Sequence, residues 1–293
     1  MREAGHLASA FLGGRLHLTL ASSGMVLQHA ATGWQRELET IARLHWDEDP
    51  GDDPERLALF CAPLFAKRRF RGLPLKVTLS EEQARLFMVT PPANARSPRD
   101  LQGVAAARFH TLYGDGVQDW QVAFDGDAGR RFLACALPRS RVEAVRHVAQ
   151  AYGLCLTSVA PLFVDVWNRA RSRLDGAWMG LLEGKVMTLV ALSNGDGHAG
   201  SGIRSLHRQA LPAQGADIAW LRQQVMRFAL REGVPMPARM QLYRRRDLAN
   251  VEPGGRLRFR IASEQPAETV PPKGGRGLLP QLGRRSKPPS SGL

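Results

Sequence analysis

Alternating apolar and polar residues predict that the chain begins with strands. Three such segments are separated by polar or turn residues and are predicted to pair as antiparallel strands: Arg15 to Leu20, Met25 to Ala30 and Leu38 to Trp46. Asp53-Pro-Glu55 then has the composition of a helix start, and the apolar spacing continues to Phe65 and the basic residues 67–69. Pro63 is expected to kink this helix. A further strand is predicted from Leu73 to Leu79.

The next segment has the element order β-α-β-β-α-β, which is typical of a small split-βαβ unit. Its first helix is predicted to be capped by Ser97, and its second to open with a capping box over Ser140 to Glu143 and to end at Gly153. The predicted elements are a strand at Ala84 to Val89, a helix to Tyr113, a hairpin of Trp120 to Phe124 with Arg131 to Leu137, the second helix, and a closing strand at Leu154 to Val159.

The remaining pattern repeats the order of the first part of the chain. A helix from Pro161 to Leu174 is followed by three strands, a helix and two more strands, predicted at Trp178 to Leu182, Lys185 to Leu192, His198 to Leu206, Asp217 to Arg231, Arg239 to Tyr243 and Leu257 to Ile261. The order β-β-β-α-β therefore occurs twice. The sequence predicts an internally duplicated α/β fold with a smaller unit inserted in its first half.

Four segments follow from this order: a first lobe at 1–83, the inserted unit at 84–160, a second lobe at 161–263 and a tail at 264–293. The tail has six prolines, five glycines and five Lys or Arg against two Glu. A segment of that composition is predicted to be disordered and basic. It contributes +3 of the net charge of +13, so most of the excess charge belongs to the folded part.

Composition and charge exclude several classes of protein. With 44% hydrophobic and 23% charged residues, the chain is expected to fold. Only five of the 40 basic residues are lysine, and an excess of arginine also arises from GC-rich coding, so the charge is weak evidence for nucleic acid. Three distant cysteines, Cys61, Cys135 and Cys155, suit neither a disulfide framework nor a zinc site and are predicted to be buried. No apolar run is long enough for a membrane span or a signal sequence, which predicts a cytoplasmic protein.

The short motifs point to no catalytic, cofactor-binding or metal-binding residues. Gly195 to Gly200 reads GxGxxG, but the residues after it have a strand pattern, whereas dinucleotide binding needs a helix there. The acidic pairs Glu81-Glu82 and Asp52-Asp53 lie at turn or cap positions and are not expected to form a general acid and base. The basic run Arg244 to Arg246 is interpreted as a solvated charge run.

Several short segments in the middle of the chain have a recognisable sequence: Pro74-Leu-Lys-Val-Thr-Leu-Ser80, Arg85-Leu-Phe-Met-Val-Thr-Pro-Pro92, Ala105-Ala-Ala-Arg-Phe109, Asp119-Trp-Gln-Val122, Leu133-Ala-Cys-Ala136, Tyr152-Gly-Leu-Cys-Leu-Thr-Ser-Val-Ala-Pro161 and Asn168-Arg-Ala-Arg171. Together they resemble the PilM, MshI and GspL group of actin-like proteins, which serve type IV pilus assembly and type II secretion. The resemblance covers about two thirds of the chain. It implies two actin-like, ribonuclease-H-like lobes, with the β-α-β-β-α-β unit as the inserted subdomain.

The resemblance also implies where a nucleotide would bind, and the sequence departs from the family there. Members that bind ATP carry an Asp-x-Gly loop in the hairpin that opens the second lobe, whereas residues 179–184 here place Leu181 and Leu182 near that position. The glycine pair expected near the end is missing after Met240, and the first hairpin, residues 18–24, lacks its acid. Without an oxygen ligand for magnesium, we expect no cofactor and no ATP turnover.

The resulting hypothesis is a non-catalytic cytoplasmic scaffold of a type IV pilus or type II secretion platform at the inner face of the inner membrane. Because the chain shows no membrane helix, it is more similar to the soluble PilM type. The implied partners are the cytoplasmic N-terminal segment of an inner-membrane protein and an assembly ATPase or platform protein, with no specific nucleic acid. The partner-binding residues stay unknown, and direct membrane contact and dimerisation stay open. The alternatives are a nucleotide-dependent ATPase of the same fold and a basic nucleic-acid-binding protein.

Overall fold

Two five-stranded sheets with the same strand order form the frame of the protein. The computed structural model describes residues 13–31, 38–65, 70–95, 97–114, 116–126, 129–171, 174, 178–193, 202–213, 215–237, 239–245 and 251–258. The strands among these residues are β1 (Arg15–Ala21), β2 (Gly24–Ala30), β3 (Glu39–His45), β4 (Pro74–Leu79), β5 (Arg85–Val89), β6 (Trp120–Phe124), β7 (Phe132–Pro138), β8 (Cys155–Pro161), β9 (Trp178–Glu183), β10 (Val186–Leu192), β11 (Ile203–Ala210), β12 (Arg239–Arg245) and β13 (Val251–Arg258). The helices are α1 (Pro54–Phe65), α2 (Pro98–Tyr113), α3 (Arg139–Ala151), α4 (Leu162–Ala170) and α5 (Ile218–Glu232).

The strand order confirms the predicted duplication. The first sheet has the order β3-β2-β1-β4-β8 and the second β11-β10-β9-β12-β13, so each sheet has its first strand in the centre and its third at an edge. In both, the central strand is antiparallel to the second strand and parallel to the fourth. The fifth strands differ, because β8 is parallel to β4 whereas β13 is antiparallel to β12. Only residues 246–250 separate β12 from β13, too few for the crossover that a parallel strand needs.

A third sheet, with the order β5-β7-β6, forms the inserted unit. The prediction that residues 154–159 close this unit as a fourth strand is wrong, because these residues form β8, which pairs with β4 of the first sheet. The physical reason is the preceding helix: α3 supplies the crossover that lets β8 run parallel to β4. The strand pairing therefore favours counting α3 and β8 with the first lobe. The four segment boundaries given above stay predictions.

Several helix ends follow the predicted local chemistry. The hydroxyl of Ser97 accepts from the Asp100 N–H at 3.1 Å while the Asp100 carboxylate accepts from the Ser97 N–H at 3.0 Å, which forms a capping box at α2. At α5 the Asp217 side chain accepts from the Trp220 N–H at 2.7 Å. Gly233 ends this helix at φ 60°, a left-handed conformation that glycine adopts without strain.

Other predicted ends are wrong. The predicted capping box of α3 does not form, because Pro138 occupies the N-cap position and Ser140 lies inside the helix, where its hydroxyl donates to Asp52 at 2.6 Å. Helix α4 ends at Ala170 and does not reach Leu174. Strand β11 begins at Ile203, five residues later than predicted. The predicted basic end of α1 at residues 67–69 lies outside the described residues, as does all of the tail.

The buried apolar residues form separate cores, each of which lies against at least one sheet. The first sheet packs with α1 and α3, and α5 covers one face of the second sheet. Helix α4 lies in a further core that combines β9 and β10 with the inserted unit, through residues such as Phe163, Met179 and Leu86. Strand β5 is buried on both faces, since Leu86 points to this core and Phe87 to the core that α2 covers. We call the first sheet with α1, α3 the first lobe, and the second sheet with α4, α5 the second lobe.

The environment of the cysteines was only partly anticipated. Cys61 is buried, as predicted, whereas Cys135 is half-buried and Cys155 is exposed at the start of the edge strand β8. The prediction of burial is therefore wrong for Cys155, because an edge strand has one open side. None of the described helices combines the length and the apolar character needed to cross a membrane.

The packing of α5 gives a test of the second lobe. Phe228 is 1% exposed, and its ring meets that of Trp178 edge-on with the centroids 5.1 Å apart. We expect Phe228→Ala to lower the free energy of unfolding by about 3 to 5 kcal/mol, because it removes a buried ring and leaves a cavity. Urea denaturation followed by circular dichroism measures this. Leu230→Ala on the same helix is the control, since Leu230 is 77% exposed and its truncation should cost less than about 0.5 kcal/mol.

Candidate functional site: the cleft between the two lobes

The two lobes meet where the turn after β4 approaches the β9–β10 hairpin. Ser80 and the short 3-10 turn Glu81–Gln83 belong to the first lobe, and Glu183 ends β9 in the second. Glu81 is fully buried and Glu183 is 4% exposed. Two carboxylates without solvent at a lobe junction must be stabilised by nearby donors or cations, because an unpaired buried charge is very costly.

Glu81 receives donors from the second lobe. Its Oε1 accepts from the Phe163 N–H, in the first turn of α4, at 2.6 Å, and its Oε2 accepts from the Thr188 hydroxyl at 3.4 Å. The N-terminal end of a helix favours a negative charge, so this position suits a carboxylate. Arg208 lies with its Nε 4.0 Å from Oε2. Burial nevertheless dominates and raises the pKa of Glu81 to about 7, with Arg208 acting in the opposite direction.

Glu183 receives donors from the first lobe in return. Its Oε2 accepts from the Glu81 N–H at 2.6 Å and from the Ser80 hydroxyl at 3.2 Å. The guanidinium of Arg245 pairs with Oε1 of the same carboxylate, and both side chains are buried. The interpretation of Arg244 to Arg246 as a solvated run is therefore wrong for Arg245. Each lobe thus has one buried carboxylate that accepts hydrogen bonds from donors of the other lobe.

A third carboxylate lies against the turn of the second-lobe hairpin. Oε1 of Glu82 accepts from the Lys185 N–H at 2.9 Å. Gly184 in the same turn has φ 55°, and a Cβ built there would lie 2.5 Å from the Glu82 Oε1 atom. The left-handed backbone favours glycine here, whereas a shift of the flexible Glu82 side chain could relieve the close contact. The turn that would face a ligand in the cleft already donates to a carboxylate of the other lobe.

The turn of the β1–β2 hairpin in the first lobe also bonds to another part of the chain. The indole N–H of Trp46 donates to the Ser22 carbonyl at 2.8 Å, and the Trp46 backbone N–H donates to the Ser23 carbonyl. Trp46 is buried and packs edge-on against Phe60. Among the described residues, no group of three or more His, Cys, Asp or Glu is arranged to hold a metal ion.

A second buried polar cluster joins β1, β4 and α4. Nε2 of His17 lies 2.6 Å from the Thr78 hydroxyl, and both side chains are buried. Burial lowers the pKa of His17 to about 4, although the nearby Asp165 acts to raise it. Burial also disfavours ionisation of Asp165, but Arg169, at 2.6 Å, and Lys76 outweigh it and hold the pKa of that carboxyl below its usual value. This cluster fixes the start of α4 against the first sheet.

The loop before α1 is connected to the same turn. The buried Arg141 of α3 donates to both carboxylate oxygens of Asp49, at 2.8 and 2.7 Å. The Gln83 side chain donates to Asp49 at 3.2 Å. Both hydrogen bonds of Arg141 come from the same nitrogen, Nη2, and they are charge-assisted, which makes them stronger than neutral ones. The turn of residues 81–83 is therefore held from the first lobe by Asp49 and from the second by Glu183.

A separate groove lies between the inserted unit and the first lobe. It has a volume of about 440 Å³, and its lining includes residues from two edge strands, Gln121 and Ala123 on β6 and Leu156 to Val159 on β8. Among the described residues, β6 pairs only with β7 and β8 only with β4. Both strands therefore have one side without a neighbouring strand. Leu137, Val142 and Leu154 contribute apolar surface, and Arg146, Gln150 and Gln121 contribute polar groups.

Sequence reasoning found the turn that carries the acids but missed their environment. Glu81-Glu82 was expected at a turn, which the structure confirms, yet the burial of Glu81 was not expected. The one available signal is an acid in a strand of otherwise apolar residues, as for Glu183 in β9. The GxGxxG motif lies outside the described residues, and the element that follows it is the strand β11. The groove residues could not be found from the sequence, because they come together only when β8 joins the first sheet.

The pKa shifts of Glu81 and His17 predict opposing effects of pH on stability. Because the folded protein holds the pKa of Glu81 near 7 and the unfolded chain near 4.5, ionisation favours the unfolded chain, and stability falls as pH rises between these values. The pKa of His17 is about 4 in the folded protein and 6.5 in the unfolded chain, so stability falls as pH decreases between these values. We expect the two slopes to offset each other in the unsubstituted protein.

Single variants should separate the two slopes. In Glu81→Gln, the free energy of unfolding should rise from pH 4.5 to 6.5, because the effect of His17 is no longer opposed. In His17→Gln it should fall over that range, by on the order of 3 kcal/mol for the shift of Glu81. Urea denaturation at half-unit pH steps measures both. Parallel curves for Glu81→Gln and the unsubstituted protein would contradict the assignment.

Comparisons with known proteins identify the fold. No protein-family model and no curated protein matches the chain significantly. Among solved structures, the cytoplasmic domain of EpsL, an inner-membrane component of the Vibrio cholerae type II secretion system, is 16% identical and matches with a TM-score of 0.50 over 80% of this chain and 83% of its own. A Bacteroides thetaiotaomicron protein with an actin-like ATPase fold and unknown function is 8% identical, with a TM-score of 0.52 over 81% and 83%.

A third structure, the PilM–PilN type IV pilus biogenesis complex, is 13% identical and matches over 76% of this chain and 66% of that one, with a TM-score of 0.50. At such identities the likeness concerns the fold. It confirms the fold that the resemblance to the PilM, MshI and GspL group implied. The duplicated strand order and these similarities together establish that the protein has an actin-like fold.

Proposed function

We propose that this protein is a non-catalytic scaffold of a type IV pilus or type II secretion assembly platform, and that it binds an extended segment of a membrane partner. The observation that carries the proposal is the groove between the edge strands β6 and β8. The protein shares its fold with a type II secretion component and with a protein of a type IV pilus biogenesis complex, which supports a role in this class of machine. The location we propose is the cytoplasmic face of the inner membrane, where the partner would hold the protein.

The shape of the groove suits a peptide in extended conformation. An edge strand offers unpaired N–H and C=O groups, and an added peptide strand can bond to them, as in recognition by β-strand addition. Thr157 and Ser158 of β8 and Ala123 of β6 are exposed, so a peptide can approach both strands. The volume of about 440 Å³ falls within the range of ligand pockets, roughly 300 to 1,000 Å³.

The lining favours a segment with apolar side chains on one side. Leu137, Val142 and Leu154 are at least nine-tenths buried and form an apolar floor. Arg146 and Gln150, on the exposed side of α3, lie at the rim and can bond to backbone carbonyls or to an acidic residue. A partner segment with alternating apolar residues would match this arrangement, because alternate side chains of an extended peptide point to the same side.

The geometry of the cleft supports a role without nucleotide turnover. The residues present do not fit a nucleotide with magnesium, because Glu82 accepts from the turn N–H of Lys185, where a phosphate would need a donor. The carboxylate of Glu82, which accepts from this turn, would repel a polyphosphate placed there. The Phe163 N–H and the Thr188 hydroxyl already donate to Glu81, and Arg245 is already paired with Glu183. An ATPase of the same fold remains the alternative hypothesis.

The ATPase alternative is tested directly. We expect titration calorimetry with Mg-ATP at millimolar concentration to give no saturable heat, and the purified chain to release no phosphate from ATP, because the cleft offers carboxylates in place of phosphate donors. Saturable heat with a stoichiometry near one would contradict the proposal. The variant Glu82→Ala shows whether one carboxylate alone blocks the site, since it frees the Lys185 N–H.

Site-specific crosslinking tests the groove. A photoreactive phenylalanine analogue introduced at Ala123 should crosslink, in native cells, to a single-span inner-membrane protein of the pilus or secretion machine, through its cytoplasmic segment. Mass spectrometry of the crosslinked peptide identifies the partner protein and the segment that is crosslinked. The same analogue at Ala107 is the control, because Ala107 is an exposed alanine of the inserted unit on α2, away from the groove.

The outcomes separate clearly. Ala123→Trp should fill the groove and abolish pilus assembly or secretion, whereas Ala107→Trp should leave it unchanged. The proposal fails if the position in the groove gives no crosslink, or if both positions yield the same products.

A further inference from the structure

Helix α5 has one face that the protein buries and one that it leaves open. Leu221, Val225 and Phe228 pack against the second sheet and are at most 4% exposed. On the other side, Met226 is 52% and Leu230 is 77% exposed. At 100° per residue, Met226 and Leu230 lie about 40° apart around the helix axis, and Met226 lies about 160° from Phe228. The two exposed apolar side chains therefore lie on the outward side of the helix, together with the exposed Ala219 and Gln223.

Arginines flank the line of Met226 and Leu230 on both sides. Relative to its midpoint, Arg222 lies about 60° to one side and Arg227 about 80° to the other. Both are exposed, and neither forms a hydrogen bond or ion pair with a described residue. Ile218, which is 56% exposed, extends the apolar surface at the N-terminal end, on the side of Arg222.

Within the described residues, α5 stands alone on its side of the second sheet. The core beneath it consists of residues from α5 itself, from β9, β10 and β12, and from the adjoining loops, and it includes no residue of another described helix. Toward the start of α5, Ala219 and Gln223 line a hollow together with Arg244 and the preceding loop. Met226 and Leu230 are not part of its lining, so this portion of the exposed face is a ridge rather than a wall of that hollow. A ridge can meet a flat surface along its whole length, whereas a partner helix packs best into a groove between two elements.

We propose that this ridge binds the surface of a bilayer that contains anionic lipids. An apolar line between arginines is the arrangement of interfacial amphipathic helices, in which apolar side chains enter the boundary of the acyl chains. The arginine side chains can extend toward the phosphates while their aliphatic parts stay among the apolar groups. The charge complementarity of Arg222 and Arg227 with anionic headgroups selects this surface over a neutral one.

The binding would be weak and reversible. Each basic residue close to an anionic surface contributes about 1 kcal/mol, which corresponds to about fivefold in affinity. The inference goes beyond the proposed function, because lipid binding at α5 needs no protein partner and involves none of the groove residues. Its failure would leave the crosslinking result at Ala123 unaffected.

Vesicle flotation with the full chain tests the inference. We expect the unsubstituted protein to float with vesicles of phosphatidylglycerol and phosphatidylethanolamine in equal parts, and not with vesicles of pure phosphatidylcholine. The double variant Arg222→Gln/Arg227→Gln should bind about 25-fold more weakly, and Leu230→Asp about tenfold more weakly. Arg222→Lys/Arg227→Lys should retain binding, because it keeps the charge.

Leu59→Asp is the matched control. Leu59 of α1 is 74% exposed, much like Leu230, but lies outside the ridge, so its replacement should not change vesicle binding. Four results would each overturn the proposal: no flotation of the unsubstituted protein with anionic vesicles, equal binding to phosphatidylcholine, a loss for Leu59→Asp equal to that for Leu230→Asp, or α5 variants that bind like the unsubstituted protein. The last result would place the lipid contact elsewhere, for example in the basic residues 264–293.

Discussion

The relative position of the two lobes depends on two buried carboxylates, each of which accepts a hydrogen bond from the opposite lobe. Glu81 extends from the first lobe to the start of α4, and Glu183 extends from the second lobe to the turn that carries Glu81. Burying a carboxylate is unfavourable unless several donors or cations compensate. Glu81 finds them in the second lobe, and Glu183 finds backbone and hydroxyl donors in the first lobe and the cation Arg245 in its own. Removing Arg245 would leave the buried carboxylate of Glu183 without its cation. The relative position of the lobes is therefore set by charge compensation as well as by the apolar core around Phe163 and Met179.

The same interactions between the lobes determine what the cleft can do. A cleft that binds a polyphosphate needs free N–H donors and positive charge, whereas here the turn donor of Lys185 already bonds to Glu82 and the arginines are engaged by Glu183 and by the turn. The groups that join the lobes thus lie at the β9–β10 hairpin, where the resemblance to ATP-binding members implies that a nucleotide would bind. This arrangement agrees with the proposed non-catalytic role, in which the lobes act as a rigid frame and the partner binds on an outer surface.

Two outer surfaces expose groups that could bind a partner, and the groups differ between them. The groove between β6 and β8 offers backbone hydrogen-bonding groups together with apolar floor residues such as Val142. The ridge of α5 offers apolar side chains between charges and no backbone groups, because a helix satisfies its own. The first is suited to an extended peptide and the second to a lipid surface. A protein with both could hold a membrane partner while lying against the bilayer that contains it.

The amino-acid sequence by itself determined the elements and their repeated order. Apolar spacing identified the strands and helices, and local caps such as Ser97 with Asp100 fixed helix ends, because these interactions involve residues that are close in the chain. Only the tertiary structure decided that β8 joins the first sheet, that Arg245 is buried and that Glu81 bonds to the second lobe. Glu81 and Glu183 lie 102 residues apart, and neither residue's own neighbours reveal the donors that compensate its charge. Periodicity is a local property of the chain, whereas burial depends on residues that only folding brings together.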